Sequence, residues 1–242
     1  MKQALFFEKL GDGRVKCYLC RHHCVIDDGK KGICRVRENR SGTLYSLVYK
    51  KLISENIDPI EKKPFFHFFP GSTAFSVATA GCNFRCLNCQ NYEISQLPKD
   101  HDQIVGRDVE PEKIVGDALG SHCKSIAYTY TEPTIFFEYA YEIAKIASQK
   151  AIKNVFVTNG YITREALATI KPYLQAANID LKSFSSETYK KLCGARLEHV
   201  LDCIRSYKEM GIWIEITTLI IPEINDSEHE LRQIAGFIKS VG

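Results

Sequence analysis

The chain has 242 residues, 45% hydrophobic and 25% charged, an ordinary globular composition with material for one core and a small appendage. Its net charge of +3 is too small for a nucleic-acid footprint, and no apolar run approaches the ~20 residues that span a bilayer. Residues 1–12 hold one short apolar patch and no secretory core, so the expected location is cytoplasmic, where ten cysteines point to metal ligands more than to disulfides.

Residues 1–71 are rich in cysteine, basic residues and aromatics and carry little helical period. Stretches 45–52 and 61–70 read as extended segments and turns, and the whole is expected to form a Cys-rich metal-binding cap ahead of a second unit over 72–242. Cys17, Cys20, Cys24 and Cys34 place four thiols in a segment with little core of its own, where metal binding would supply folding free energy. Tetrahedral zinc and an iron–sulfur cluster both accept four cysteines, and spacing does not separate them, although the reading leans to zinc. His22 and His23 are expected as exposed neighbours, Lys62-Lys63 as a solvated face, and His67 as a packed member of the Phe65, Phe66, Phe68 and Phe69 group.

From about residue 72, short apolar strands alternate with amphipathic helices. Residues 75–79 read as a strand, 111–119 as a helix opened by Pro111, and 125–130 as a buried strand. Pro133 opens a helix whose core face is Ile135, Tyr139, Ile143 and Ile146. Strands follow at 154–158, 176–182 and 212–221, with helices near 186–192 and 199–210. The last helix opens on Ser227-x-x-Glu230, a capping-box pattern, and carries Leu231, Ile234 and Ile238 on one side. Five strands separated by helices predict an α/β fold with a parallel sheet, its site at the C-terminal strand ends. Cys123, Cys193 and Cys203 fall on or beside these elements and read as buried apolar thiols.

The 75–79 strand runs into Cys82-x3-Cys86-x2-Cys89. A cubane [4Fe–4S] cluster normally takes four thiolates; this loop supplies three, and the next cysteine is Cys123. One iron is then free for a small molecule, and an open position marks chemistry where a closed one marks structure. Gly81 and Asn83 suit the bend such a loop needs. At later strand ends, Glu132 opens a helix beside Pro133, Asn159-Gly160 makes a turn, and alternation sends Asp180 and Lys182 to one face, where they could pair.

Cys82, Cys86 and Cys89 match the motif of the radical S-adenosylmethionine (SAM) superfamily, except that Asn88 stands where an aromatic residue is usual. Further segments, among them Cys17-Tyr18-Leu19-Cys20, Gly32-Ile33-Cys34-Arg35, Asp58-Pro59-Ile60-Glu61-Lys62-Lys63-Pro64 and Tyr130-Thr131-Glu132-Pro133, resemble the AmmeMemoRadiSam-system radical SAM proteins, relatives of pyruvate formate-lyase activating enzymes. The resemblance implies a partial (βα) TIM-like barrel and a [4Fe–4S] cluster whose free iron is chelated by SAM. It also implies reductive cleavage of SAM to a 5′-deoxyadenosyl radical that takes hydrogen from a substrate, with a flavodoxin- or ferredoxin-like electron donor. It assigns SAM contacts to Glu132, Asn159, Asp180 and Lys182. Tyr130 and Thr131 replace two glycines of the family pattern, and Val157 an aspartate. A narrower expectation is an activase that installs a glycyl radical on a partner protein; a rival is a non-catalytic metal-binding interaction module. Family members are typically longer, so the chain is expected to be truncated before a sixth strand.

Overall fold

The computed structural model describes residues 1–242. Its first strands are short: β1 (Lys2–Gln3), β2 (Phe7–Lys9), β3 (Val15–Cys17), β4 (Val25–Ile26), β5 (Arg37–Arg40) and β6 (Thr43–Ser46). They make two antiparallel sheets, β1-β6-β5 and β2-β3-β4. Strands this short do not stand alone, and Val15, Ile26, Val36 and Leu44 join the same buried apolar cluster as the helices that follow.

The main sheet begins with β7 (Lys51–Pro59), antiparallel to β8 (Thr73–Thr79) and, at its start, to β9 (Arg107–Asp108). Then come β10 (Ser125–Tyr128), β11 (Lys153–Thr158), β12 (Ala176–Asp180) and β13 (Trp213–Thr217), which with β8 run parallel. Helices α1 (Tyr92–Asp100), α2 (Pro111–Gly120), α3 (Phe137–Gln149), α4 (Arg164–Ile170), α5 (Ser186–Cys193) and α6 (Leu197–Glu209) connect them, and α7 (Glu228–Val241) follows β13. Parallel strands crossed over by helices need both faces covered, and all four residues of β10 are buried. The order β13-β12-β11-β10-β8-β7-β9 leaves the outer strands unpaired with each other, so the sheet is an open, partial βα barrel, as the alternation predicted. Small residues Ala74, Ala127, Val155 and Ala176 form a row across four strands and pack on Ile60 and Phe65.

Several local expectations change. Lys51–Pro59 is a nine-residue strand of the main sheet, although it precedes residue 72. Pro133 opens a 3₁₀ turn, Pro133–Phe136, before α3 starts. The strands expected over 176–182 and 212–221 end at Asp180 and Thr217. Lys62 is solvated, but Lys63 is buried against Asp58. His67 is 78% exposed rather than packed, because Glu215 fixes the backbone of Phe66 and His67 and turns the ring outward. In α7, Ile234 and Phe237 face the core while Leu231 and Ile238 are exposed. Ser227 caps Glu230 N–H as predicted, but the Glu230 carboxylate accepts from Ser183 Oγ and Phe184 N–H instead of completing the box.

Candidate active site

Gly81 shapes the loop that leaves β8. Its φ of +104° is open to glycine, and a Cβ there would stand 2.7 Å from Val36 Cγ1 and 3.5 Å from the Cys34 carbonyl oxygen. Phe84 then anchors the loop in the core. Its ring meets Tyr161 edge-on at 5.0 Å, and its carbonyl accepts from Lys99 Nζ at 2.5 Å and Gln96 Nε2 at 3.2 Å. On the other side, Arg85 and Leu87 N–H donate to the carbonyls of Cys193 and Leu192 at 3.1 and 2.9 Å, which ties the loop to the end of α5. Cys82, Cys86 and Cys89 are held between these anchors as half-buried free thiols.

The neighbouring strand ends bring the other predicted residues close. Glu132 is buried; its Oε1 accepts from Thr134 N–H at 3.0 Å, Thr134 Oγ at 2.5 Å and Thr158 Oγ at 2.8 Å, and its Oε2 from Asn159 N–H at 2.8 Å. The carboxylate thus clips the end of β10 to the end of β11. Burial raises its pKa against these hydrogen bonds. Asn159 Nδ2 donates to Asn83 Oδ1 at 2.7 Å and lies 3.8 Å from Cys82 Sγ. Lys182 pairs with Asp180 at 2.8 Å. Burial works to lower the Lys182 pKa, but Asp180 and Cys86 outweigh it, and the ammonium is held above its usual range.

Two features had no sequence signal. Cys193, buried as expected, lies beside Cys86, and this neighbour, together with burial, pushes the Cys86 thiol up. The contact joins residues far apart in sequence. The second is a polar cluster: Asp58 accepts from Lys63 Nζ at 2.7 Å, Ser76 Oγ at 2.9 Å and Tyr130 OH at 2.6 Å, while the Lys63 ammonium lies 4.2 Å from the centre of the Tyr130 ring. Tyr130 sits at φ +62°, where glycine would be at ease.

The donors of this site suit a cluster better than a single ion. No three Cys, His, Asp or Glu side chains converge as one ion requires, with sulfurs about 2.3 Å from zinc. A cubane instead takes each thiolate at a separate iron. Around the loop, Asn88 Oδ1, Gln96 Oε1 and Asn159 Oδ1 are buried without partners. Such atoms are few in native proteins, and three on or beside one loop leave a place for a polar group. The residues therefore fit an open [4Fe–4S] cluster with a polar ligand beside it. The N-terminal cysteines lie next to this loop. Cys17 and Cys34 are buried, Cys20 and Cys24 half-buried, and His22, expected to be exposed, is half-buried with Nε2 3.0 Å from the Asn83 carbonyl oxygen.

Comparison with known proteins bears on the fold and the family. The chain is 46% identical over 239 residues to the uncharacterized protein MJ0808 of Methanocaldococcus jannaschii, covering 99% of this chain and 70% of that protein. It is 26% identical to MJ0674 of the same organism, of which it spans 57%. A pyruvate formate-lyase-activating enzyme of Clostridium pasteurianum is 21% identical over 167 residues, covering 66% of this chain and 67% of that enzyme. Among solved structures, Streptococcus suis SuiB bound to S-adenosylmethionine shares the fold, with a TM-score of 0.52 at 15% identity, over 69% of this chain and 35% of SuiB. The family model of the radical SAM superfamily matches residues 76–235, and the chain belongs to that superfamily.

Proposed function

We propose that the protein is a radical SAM enzyme in which Cys82, Cys86 and Cys89 hold a [4Fe–4S] cluster with one iron open to SAM. When bound, the cluster and SAM supply a 5′-deoxyadenosyl radical that takes a hydrogen atom from the substrate. The observation that carries this reading is the placement of three free thiols at the end of β8, ringed by unpartnered buried polar atoms and by the ends of β10, β11 and β12. The chain's own groups orient the methionyl end. Glu132 Oε2 takes one donor, so it retains an acceptor position for an ammonium, and Asn159 Oδ1 beside Cys82 offers another. Lys182, kept charged and aligned by Asp180, meets a carboxylate as a point charge. Phe84 and Tyr161 keep water from behind the loop.

The test is anaerobic reconstitution, reduction, and assay of 5′-deoxyadenosine. The wild-type protein is expected to release it and Cys86→Ala to release none above background; undiminished release by the variant would remove the reading. A protein substrate is the narrower form, supported by the likeness to the Clostridium activating enzyme. Incubation with candidate glycyl-radical partners and a one-electron donor should then give a glycyl EPR signal, and its absence with every partner tested would count against that form.

A further inference from the structure

The four N-terminal thiols remain outside that mechanism. Cys17, Cys20, Cys24 and Cys34 line one small cavity, together with Arg37 and Asn83. Both of these bring a buried donor with no partner, Arg37 Nε and Asn83 Nδ2. The rest of the Arg37 guanidinium is satisfied: it donates to Glu138 at 3.0 and 3.3 Å and to the Leu5 carbonyl at 2.5 Å, with the side chain 2% exposed. Its charge is thus already matched, and what is left over is a directed N–H. Two such donors facing four thiols call for an acceptor that neutral thiols supply only weakly. Thiolates and sulfides of an anionic metal centre supply it well. A single ion does not suit, since no three donors converge on a point. A cubane takes its four thiolates at separate irons and brings sulfide acceptors of its own.

We propose that Cys17, Cys20, Cys24 and Cys34 hold a second [4Fe–4S] cluster, closed by four thiolates, which passes single electrons to the cluster on Cys82, Cys86 and Cys89. The relay rests on the function proposed above; the second cluster does not. The two cysteine sets abut. The Cys34 carbonyl oxygen lies 3.5 Å from where a Gly81 Cβ would stand, and Asn83 lines the cavity while adjoining Cys82 in sequence. The Lys99 ammonium is within Coulomb reach of both Cys34 and Cys82. A one-electron donor of the ferredoxin or flavodoxin class is oxidised by one electron, the second cluster is reduced from 2+ to 1+, and it returns to 2+ as the first is reduced. No bond breaks and no proton moves.

The experiment compares three anaerobically reconstituted proteins. Wild type is expected to hold about eight irons per chain, and Cys82→Ala/Cys86→Ala/Cys89→Ala about four, with a reduced-state EPR signal indifferent to SAM. The triple variant keeps all four N-terminal thiols. Cys20→Ser/Cys24→Ser should hold about four irons, with a SAM-responsive signal, and accept electrons from reduced flavodoxin about tenfold more slowly than wild type while dithionite reduces both alike. A triple variant with zinc and no iron, or with no metal, beside a wild type that still releases 5′-deoxyadenosine, would overturn the second cluster and leave the function standing. Equal rates with flavodoxin would overturn the relay. Iron in the triple variant with no SAM cleavage by wild type would sink the function and leave the second cluster in place.

Discussion

Asp58 and Lys63 form an ion pair whose side chains are both nearly inaccessible, and Tyr130 joins it with its hydroxyl and its ring. Burial alone would raise the Asp58 pKa; hydrogen bonds from Lys63, Tyr130 and Ser76 more than reverse this and hold the carboxyl well below its usual range. A depressed folded-state pKa stabilises the fold above the unfolded value, and that contribution fades as pH falls toward the folded one. Asp58→Asn leaves a buried ammonium without its counter-charge, at an expected loss of about 3 kcal/mol in urea unfolding at pH 7. The deficit should narrow below about pH 4, where the wild-type carboxyl begins to lose its advantage. A deficit constant from pH 7 to pH 3 would contradict this account. None of it was legible in the sequence, where Lys62-Lys63 reads as one basic step. Their environments separate because the 3₁₀ turn Ile60–Lys62 and its cap direct the second lysine inward. The positions of Glu132 and Asn159 after short apolar strands were legible; that the Glu132 carboxylate joins the two strand ends was not, because two donors come from β11 and its turn.

The loop that carries Cys82, Cys86 and Cys89 is held by neighbours that leave no slack. Gly81 is held at a φ few other residues accept, and Val36, fully buried, occupies the space a side chain would need. Gly81→Ala therefore combines backbone strain with a clash in the core, an expected cost of about 1–3 kcal/mol. Because the displaced element carries Cys82, the iron retained after reconstitution should fall more than the loss of melting temperature alone explains. Gly116→Ala serves as a control, since a Cβ there meets nothing within 4 Å and the residue lies mid-helix in α2. Equal iron content in the two variants would show that the strain is not transmitted to the thiols. At this scale the sequence was a good guide wherever an element is covered on both faces. The strands β8, β10, β11 and β12 are mostly buried, and their helices have clear apolar sides. It failed for β7, where Ser54, Asn56 and Asp58 interrupt the apolar pattern and Ile57 is 54% exposed. A strand whose polar residues serve Ser76 and Tyr130 across the sheet carries no period-2 signal.

Over the whole molecule, the Cys-rich segment and the barrel share one core. Arg37 in β5 and Glu138 in α3 form an ion pair with both side chains almost wholly inaccessible. Glu138 also accepts from Leu5 N–H at 2.8 Å. Further along, Thr163 donates from its hydroxyl to the Tyr18 carbonyl and from its amide to that of Leu19, while Arg21 N–H donates to Tyr161, so the cysteine segment lies along the turn after β11. Apolar residues from both parts belong to a single buried cluster. Contacts this dense predict that the two unfold together. Glu138→Gln removes the carboxylate from a buried guanidinium and is expected to cost about 3–5 kcal/mol. The loss should appear as one transition at lower denaturant with an unchanged slope, and hydrogen exchange should report equal destabilisation for slow amides of β5 and of α3. Two transitions, or amides of β5 that exchange freely while α3 keeps its protection, would mean that the segment folds apart from the barrel. The loop at Gly81 would then lose the wall against which it is pressed.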